Sequence, residues 1–269
     1  MALIAVGGLG TDAAFAQVPT GADVVAGQAA ISQAGNALNV NASTNRAIVN
    51  WNSFNVGAGK SANFNLPSAN SAILNRVTTQ NMPSTIAGSV NSNGHVYLVN
   101  PSGIVVNSSG MVNTNGFTAS TFDVANDAFM AGGALHFSNN GSNAAVVNKG
   151  TIQTGTGGAH LIANEIANHG TIRSNGGNIT MSGGGSVTLE NGVTYLQPTM
   201  DTLAGGVSPT AGLIQNTGTI RATGAATSGG EVYLVNPKGR ILHDGTIKAQ
   251  QVVSTGTTKG GHVQLEADD

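Results

Sequence analysis

Gly94-His95-Val96-Tyr97-Leu98-Val99-Asn100-Pro101-Ser102-Gly103-Ile104-Val105-Val106 reads as a buried strand, a tight turn and a second buried strand. The run from Val96 to Val99 is β-branched, aromatic and aliphatic, and it is too short and too punctuated for a helix. Asn-Pro-Ser-Gly fits a type I turn residue by residue. Asn100 can bond its own backbone at the first position, Pro101 presets φ at the second, and Gly103 suits the fourth. The same words return as Val232-Tyr233-Leu234-Val235-Asn236-Pro237-Lys238-Gly239. An eight-residue phrase repeated with one change points to a repeat architecture.

Outward from this stretch, the composition supports stacked β-structure. Only 8% of the 269 residues are charged, and 39 are glycine. Globular chains usually carry about 25% charge. Low charge with abundant Val, Ile and Leu is not a disordered composition. Gly and Asn serve turns, and Asn can ladder between stacked strands. The net charge of −2 and the scatter of the 10 basic residues from Arg46 to Lys259 argue against a nucleic-acid partner. Cysteine is absent, which excludes disulfides, thiolate metal sites and thiol nucleophiles. No apolar run reaches the roughly 20 residues of a membrane-spanning helix, so no integral membrane segment is expected.

From about residue 144 the periodicity is open. Asn148-Lys-Gly-Thr-Ile152, Asn168-His-Gly-Thr-Ile172, Asn216-Thr-Gly-Thr-Ile220 and His243-Asp-Gly-Thr-Ile247 are four copies of one turn-then-strand phrase. Each leads to a Gly-Gly strand, at Gly157, Gly176, Gly229 and Gly260. A spacing of about 20 residues, at roughly 3.3 Å each less the turns, closes one coil of a parallel β-helix. Three strands per coil are expected, with Ile, Val and Leu inward. The longer gap from Thr171 to Thr219 leaves room for an extra coil or an excursion near Gln197 to Pro209.

Earlier in the chain, Trp51 and Phe54 are expected to cover one end of the core. Gly57-Ala58-Gly59-Lys60-Ser61 resembles the tail of a phosphate-binding loop. Phe54 stands where that motif needs glycine and no helix pattern follows, so a glycine turn between strands is the better reading. The one plausible helix is Ser120 to Met130, with Phe122, Ala125 and Phe129 on one side and Ser120 or Thr121 as cap. Asp123 and Asp127 would then share its solvated face. At the N-terminus, Ala2 to Leu9 is apolar and Ala14-Phe15-Ala16 precedes polar Gln17, so residues 1–16 read as a secretory leader cleaved between Ala16 and Gln17. The basic start of such a leader is missing. The alternative is an apolar first strand.

With these phrases in hand, Pro19 to about Leu265 resembles the two-partner secretion (TPS) domain at the N-terminus of filamentous haemagglutinin-like exoproteins, the haemagglutination activity domain family. The matching words are Gly27 to Asn36, Ile48 to Gly57, Leu74-Asn-Arg-Val77, Val96 to Ile104 and the Asn-x-Gly-Thr-Ile repeats. The resemblance implies an all-β, right-handed parallel β-helix with an N-terminal β cap and at most one short helix. Its domains would be a leader (1–16), one β-helical secretion domain (17–265) and a tail (266–269). It implies export by the Sec machinery, passage unfolded through the periplasm, and recognition by the POTRA domains of an outer-membrane TpsB-type transporter. The product would be secreted, or held at the cell surface of a Gram-negative-type bacterium. The family's Asn-Pro-Asn-Gly-Ile motif stands here as Asn100-Pro101-Ser102-Gly103-Ile104, with Ser102 replacing Asn. Asn75 and Arg76, and Asn65 with Pro67, are secondary candidates. The family's Asn-Pro-Asn-Leu motif is not present.

Two other functions stay open at this point. Parallel β-helices include polysaccharide-active enzymes, but these need clustered carboxylates, and the 12 acids here are dispersed. The six histidines are unclustered too. His95 and His262 follow a glycine in strand phrases, while His169 and His243 sit in turn phrases. No catalytic residue, metal or cofactor is therefore expected. The second alternative is an adhesin, binding a host or cell-surface ligand through exposed Thr, Asn and Ser ladders.

Overall fold

A computed structural model describes residues 18–190, 193–196, 212–225, 229–236, 239–252 and 258–267. The expected leader and its Ala16–Gln17 junction lie outside them. The described chain winds into a parallel β-helix of three strands per coil, right-handed as nearly all parallel crossovers are. The first face stacks Ala37–Ala42, Ser61–Asn65, Ser89–Ser92 and the start of Met111–Ser120. It continues through the start of Thr151–Ile162, then Thr171–Asn175, Thr219–Ala225 and Thr246–Val252. The second face begins with Arg46–Trp51, Ala72–Val77 and His95–Val99 and ends with Val232–Asn236 and Val263–Ala267. The third runs from Ser84–Ile86 through Ile104–Val106, Ala145–Asn148, Glu165–Asn168 and Leu213–Asn216 to Arg240–His243.

The repeated phrase explains the stacking. In each Gly-Thr-Ile copy the isoleucine points inward, so Ile152, Ile172 and Ile220 fall in register and are almost fully buried. The asparagine that opens the phrase also turns inward, at the end of the third face. Asn148 Nδ2 donates to Asn168 Oδ1 at 2.8 Å, Asn168 Nδ2 to Asn216 Oδ1 at 2.7 Å, and Asn216 Nδ2 meets His243 Nδ1 at 3.0 Å. The three asparagines have no exposed surface, and each buried amide finds its partner one coil away. The turn glycine is required by close approach. A Cβ on Gly170 would lie 2.2 Å from the carbonyl oxygen of Gly150 in the coil before.

The N-terminal end is closed by antiparallel strands. Asp23–Ala26 pairs with Arg46–Trp51, and Ala29–Ala34 forms a hairpin with Ala37–Ala42 through Gly35, at φ +56°. Trp51 and Phe54 pack edge to face beneath this cap with centroids 5.8 Å apart, and Phe54 stacks on Phe64. The end-covering role expected for the two aromatics matches their place in the first coil.

Two excursions leave the corner between the second and third faces. One, after Ser120, holds Asp123–Val124, a helix at Asn126–Ala131 and Leu135–Ser138; the other holds Val187–Glu190 and Val193–Leu196. Together they form a four-stranded antiparallel sheet. It lies over the outside of the second face and closes a second apolar core of Ile48, Leu74, Tyr97, Phe122, Phe129 and Phe137, among others. The Thr171–Thr219 gap thus holds an excursion, not an extra coil; Gln197 to Pro209 lies outside the described residues.

The expected helix is corrected in its bounds. It begins at Asn126, not at Ser120, and Ala125 at its start makes no side-chain cap. Ser120 ends a strand, and its hydroxyl bonds both Phe122 N (2.9 Å) and Phe122 O (2.7 Å), a local turn that outcompetes capping. Phe122 and Phe129 do share one apolar core, but from a turn and a helix. Asp123 is consequently not on a helical face with Asp127; it pairs with Arg76.

Candidate functional site

Asn100 opens the corner that carries the motif. Its backbone N–H donates to Ser120 O of the next coil, and its carbonyl accepts Gly103 N–H at 3.0 Å, which closes the turn. The side chain works in two directions. Nδ2 donates to Met82 O and to Ser84 Oγ, both at 2.9 Å, and Oδ1 accepts Ser102 N–H at 2.9 Å. Gly103 turns through φ +112°, a conformation that favours glycine, and its carbonyl accepts Ser84 N–H at 2.9 Å. From the coil after, the Ser142 hydroxyl donates to Pro101 O at 2.7 Å. The corner thus ties together three coils.

Burial within the motif is uneven. Asn100 and Ile104 have no exposed surface, Gly103 is buried, Ser102 is half-buried and Pro101 is exposed. Ile104 sits in the core between Ser84 and Val146. The second copy is built more loosely. Gly239 N–H closes the turn on Asn236 O at 3.1 Å, and among the described residues Asn236 Nδ2 reaches Arg240 O alone. Its buried Oδ1 has no partner among the described residues, and positions 237 and 238 lie outside them.

The secondary candidates occupy other places. Asn75 points into the first core, accepting Trp51 Nε1–H at 3.0 Å and donating to Tyr97 O at 3.3 Å. Arg76 points out of the same strand and holds the first excursion through Asp123 Oδ1 (2.8 Å), Asn126 Oδ1 (2.7 Å) and Val124 O (2.6 Å). Asn65 and Pro67 are exposed at a different corner, between the first and second faces; Asn65 donates to Asn41 Oδ1 at 2.7 Å. The phosphate-loop-like stretch is a turn, closed by Lys60 N–H on Gly57 O, and it leads into the strand Ser61–Asn65.

Sequence reading missed a histidine pair beneath the excursion sheet. His95 stacks on Tyr97 at 4.3 Å and lies 6.0 Å from His160, beside a cleft of about 230 Å³. His95 Nε2 meets Thr118 Oγ1, while His160 bonds Thr180 Oγ1 and Gly157 O. Burial pushes the His160 imidazolium down to about pKa 4. Burial, then the neighbouring His160 and Arg46, hold His95 well below its ordinary value. Both rings are neutral at pH 7. Strand register could have found them, because Tyr97, Thr118 and His160 occupy one outward column and His95 stands in the next, followed there by Gly116 and Gly158. Among the described residues no three His, Asp or Glu side chains group to hold a metal, and no helix is long and apolar enough to cross a membrane.

A coil-stacked parallel β-helix, capped at its N-terminal end and carrying an Asn-Pro-Ser-Gly-Ile corner, defines the class of β-helical secretion domains. The chain belongs to the TPS secretion domain family, which it matches over residues 16–268. It is 30% identical over 266 residues to a heme/hemopexin-binding protein of Haemophilus influenzae, covering 96% of this chain and 28% of that protein. A second Haemophilus influenzae protein of the same name is 32% identical over 87 residues, 32% of this chain and 9% of that one. The HMW1 secretion domain from Haemophilus influenzae superposes with a TM-score of 0.69 at 28% identity, covering 93% of this chain and 74% of that one. This chain therefore spans less than a third of the length of the curated relatives. It is a two-partner secretion domain.

Proposed function

We propose that this domain is the export address of its exoprotein, read in the unfolded state by the POTRA domains of a partner outer-membrane transporter, and that it then seeds β-helix folding outside the cell. Sec export, the periplasmic passage and the leader junction at Ala16–Gln17 belong to the same reading. One observation carries it: the motif is buried. In the folded domain Asn100, Gly103 and Ile104 are sealed between coils, so a transporter facing it would meet little beyond Pro101 and Ser102. An extended chain presents all five residues, and it can add to a POTRA sheet edge through backbone hydrogen bonds while alternate side chains confer choice.

The test is co-expression with the partner transporter and measurement of Asn100→Ala and Asn236→Ala variants in the medium. The first should be lost from the medium and the second nearly unaffected. Equal loss would reduce both copies to ordinary corners. Separately, a transporter periplasmic fragment that bound the folded domain more tightly than the unfolded chain would contradict unfolded-state recognition.

A further inference from the structure

One outward column of the first face changes character halfway along the helix. Its first five coils carry amides, in register from Asn39 through Asn63, Asn91 and Asn113 to Gln153. The next three carry cations, Arg173, Arg221 and Lys248, each directly one coil beyond the last. Amides stacked this way satisfy one another: Asn63 Nδ2 donates to Asn39 Oδ1 at 3.1 Å, and Asn91 Nδ2 to Asn63 Oδ1 at 2.9 Å. Cations have no acceptor to offer and repel across adjacent strands. All three are exposed, and the single ion pair among the described residues is Arg76–Asp123, on another face. In a chain with only 10 Lys and Arg, three of them stand in one file with no acidic partner among the described residues, Arg221 reaching only the Gln250 amide oxygen at 3.4 Å.

We propose that this file is a binding site for an acidic polysaccharide chain lying along the helix axis. The cations recur once per coil, at roughly 4.8 Å, close to the length of one sugar ring. Beside them runs a file of hydroxyls, Thr151, Thr171, Thr219 and Thr246, also in register. A shallow cleft of about 290 Å³ separates Gln153, Arg173 and Arg221, giving a ligand a seat. Guanidinium forks take sulfate or carboxylate through two parallel hydrogen bonds. The neighbouring outward positions, Asn175, Thr223 and Gln250, are amides and a hydroxyl that suit sugar hydroxyls. They supply no aromatic platform for stacking bases, which disfavours single-stranded nucleic acid. The site belongs to the folded surface and does not rest on the export reading.

The experiment measures binding of the folded chain to a fluorescent sulfated glycosaminoglycan of defined length, in low salt. The parent is compared with Arg173→Gln/Arg221→Gln/Lys248→Gln and with Arg240→Gln, an exposed cation on the third face. The triple variant should bind at least tenfold more weakly and Arg240→Gln should bind as the parent does. The triple variant should melt no lower than the parent, because glutamines continue the amide file, so lost binding would not reflect unfolding. Equal affinity of the triple variant would overturn the proposal. So would equal binding of the same chain stripped of its sulfate and carboxylate charges, tighter binding of poly(uridylate), or competition by inorganic sulfate at matched charge that shows a simple anion site.

Discussion

Nδ2 of Asn168 donates to Oδ1 of Asn216 at 2.7 Å, although 48 residues of chain separate the two. The equivalent bond one coil earlier, from Asn148 to Asn168, spans only 20 residues. The ladder is indifferent to what the chain does between its rungs, and an entire excursion fits between the second pair. Asn168 is therefore a middle rung with partners above and below.

Asn168→Ala should be severely destabilising, because it takes the donor from buried Asn216 Oδ1 and leaves buried Asn148 Nδ2 only its longer bond, to Thr171 O at 3.3 Å. A buried group stripped of its hydrogen bond costs about 1–3 kcal/mol. Chemical denaturation should show a loss toward or beyond the upper end of that range. Asn41→Ala, at an exposed rung with one such bond to Asn65, should cost well under half as much.

The two Asn-Pro corners should differ in stability as well as in secretion. Asn100 makes three side-chain hydrogen bonds, two of them to the preceding coil, whereas among the described residues Asn236 makes one, to Arg240 O just past its own turn. At about 1 kcal/mol per bond, Asn100→Ala should cost roughly 2–3 kcal/mol and Asn236→Ala roughly 1. Urea midpoints of the purified variants would check this, and equal midpoints would remove the structural basis for any asymmetry.

Arg76→Gln should loosen the first excursion without melting the coils. Three donors of one guanidinium hold Asp123, Val124 and Asn126, and the group is only 14% exposed. Limited proteolysis should cut between residues 123 and 138 in the variant several-fold faster, while the main thermal transition moves little. Simultaneous melting of the whole domain would show that the excursion is not a separate unit.

Acid should weaken the fold through the histidine pair. The folded pKa of His160 is depressed to about 4, against roughly 6.5 in the unfolded chain. Above pH 6.5 both states are neutral and stability does not depend on this group. Between pH 6.5 and 4 the unfolded state binds a proton that the folded state refuses, so stability falls, by roughly 3 kcal/mol for His160. His95 is shifted in the same direction and adds to the loss. Denaturant unfolding across this window should show the slope, and His160→Gln should flatten it.

The coil architecture was legible because it is written in local repeats. The inward isoleucine of Gly-Thr-Ile and the turn asparagine recur at fixed places, and one coil explains the next. What sequence could not show was register between distant coils. Arg173, Arg221 and Lys248 look scattered along the chain yet form a file, and His95 and His160 meet from adjacent columns, where Gly116 and Gly158 follow His95 in register. The helix start was misjudged for a related reason: Phe122 and Phe129 carry an apolar spacing imposed by the second core, not by one helix. In the motif, the turn at Asn100 was readable from Asn-Pro-Ser-Gly itself. Its bonds to Met82 and Ser84 depend on the coil before and were not.

The excursion sheet has a consequence for the order of assembly. Its first strands leave the fourth coil, but Leu135–Ser138 finds its partner Val187–Glu190 only after the chain has completed another full coil and begun the next. A chain laid down from its N-terminus must hold Phe122, Phe129 and Phe137 without their full cover until residue 187 arrives. Closing the sheet is thus a checkpoint that local stacking cannot satisfy early. Loop closure over some 50 residues makes it slow relative to adding a coil. A folding domain would pass from a growing spiral with an open flank to a sealed one in a single late step.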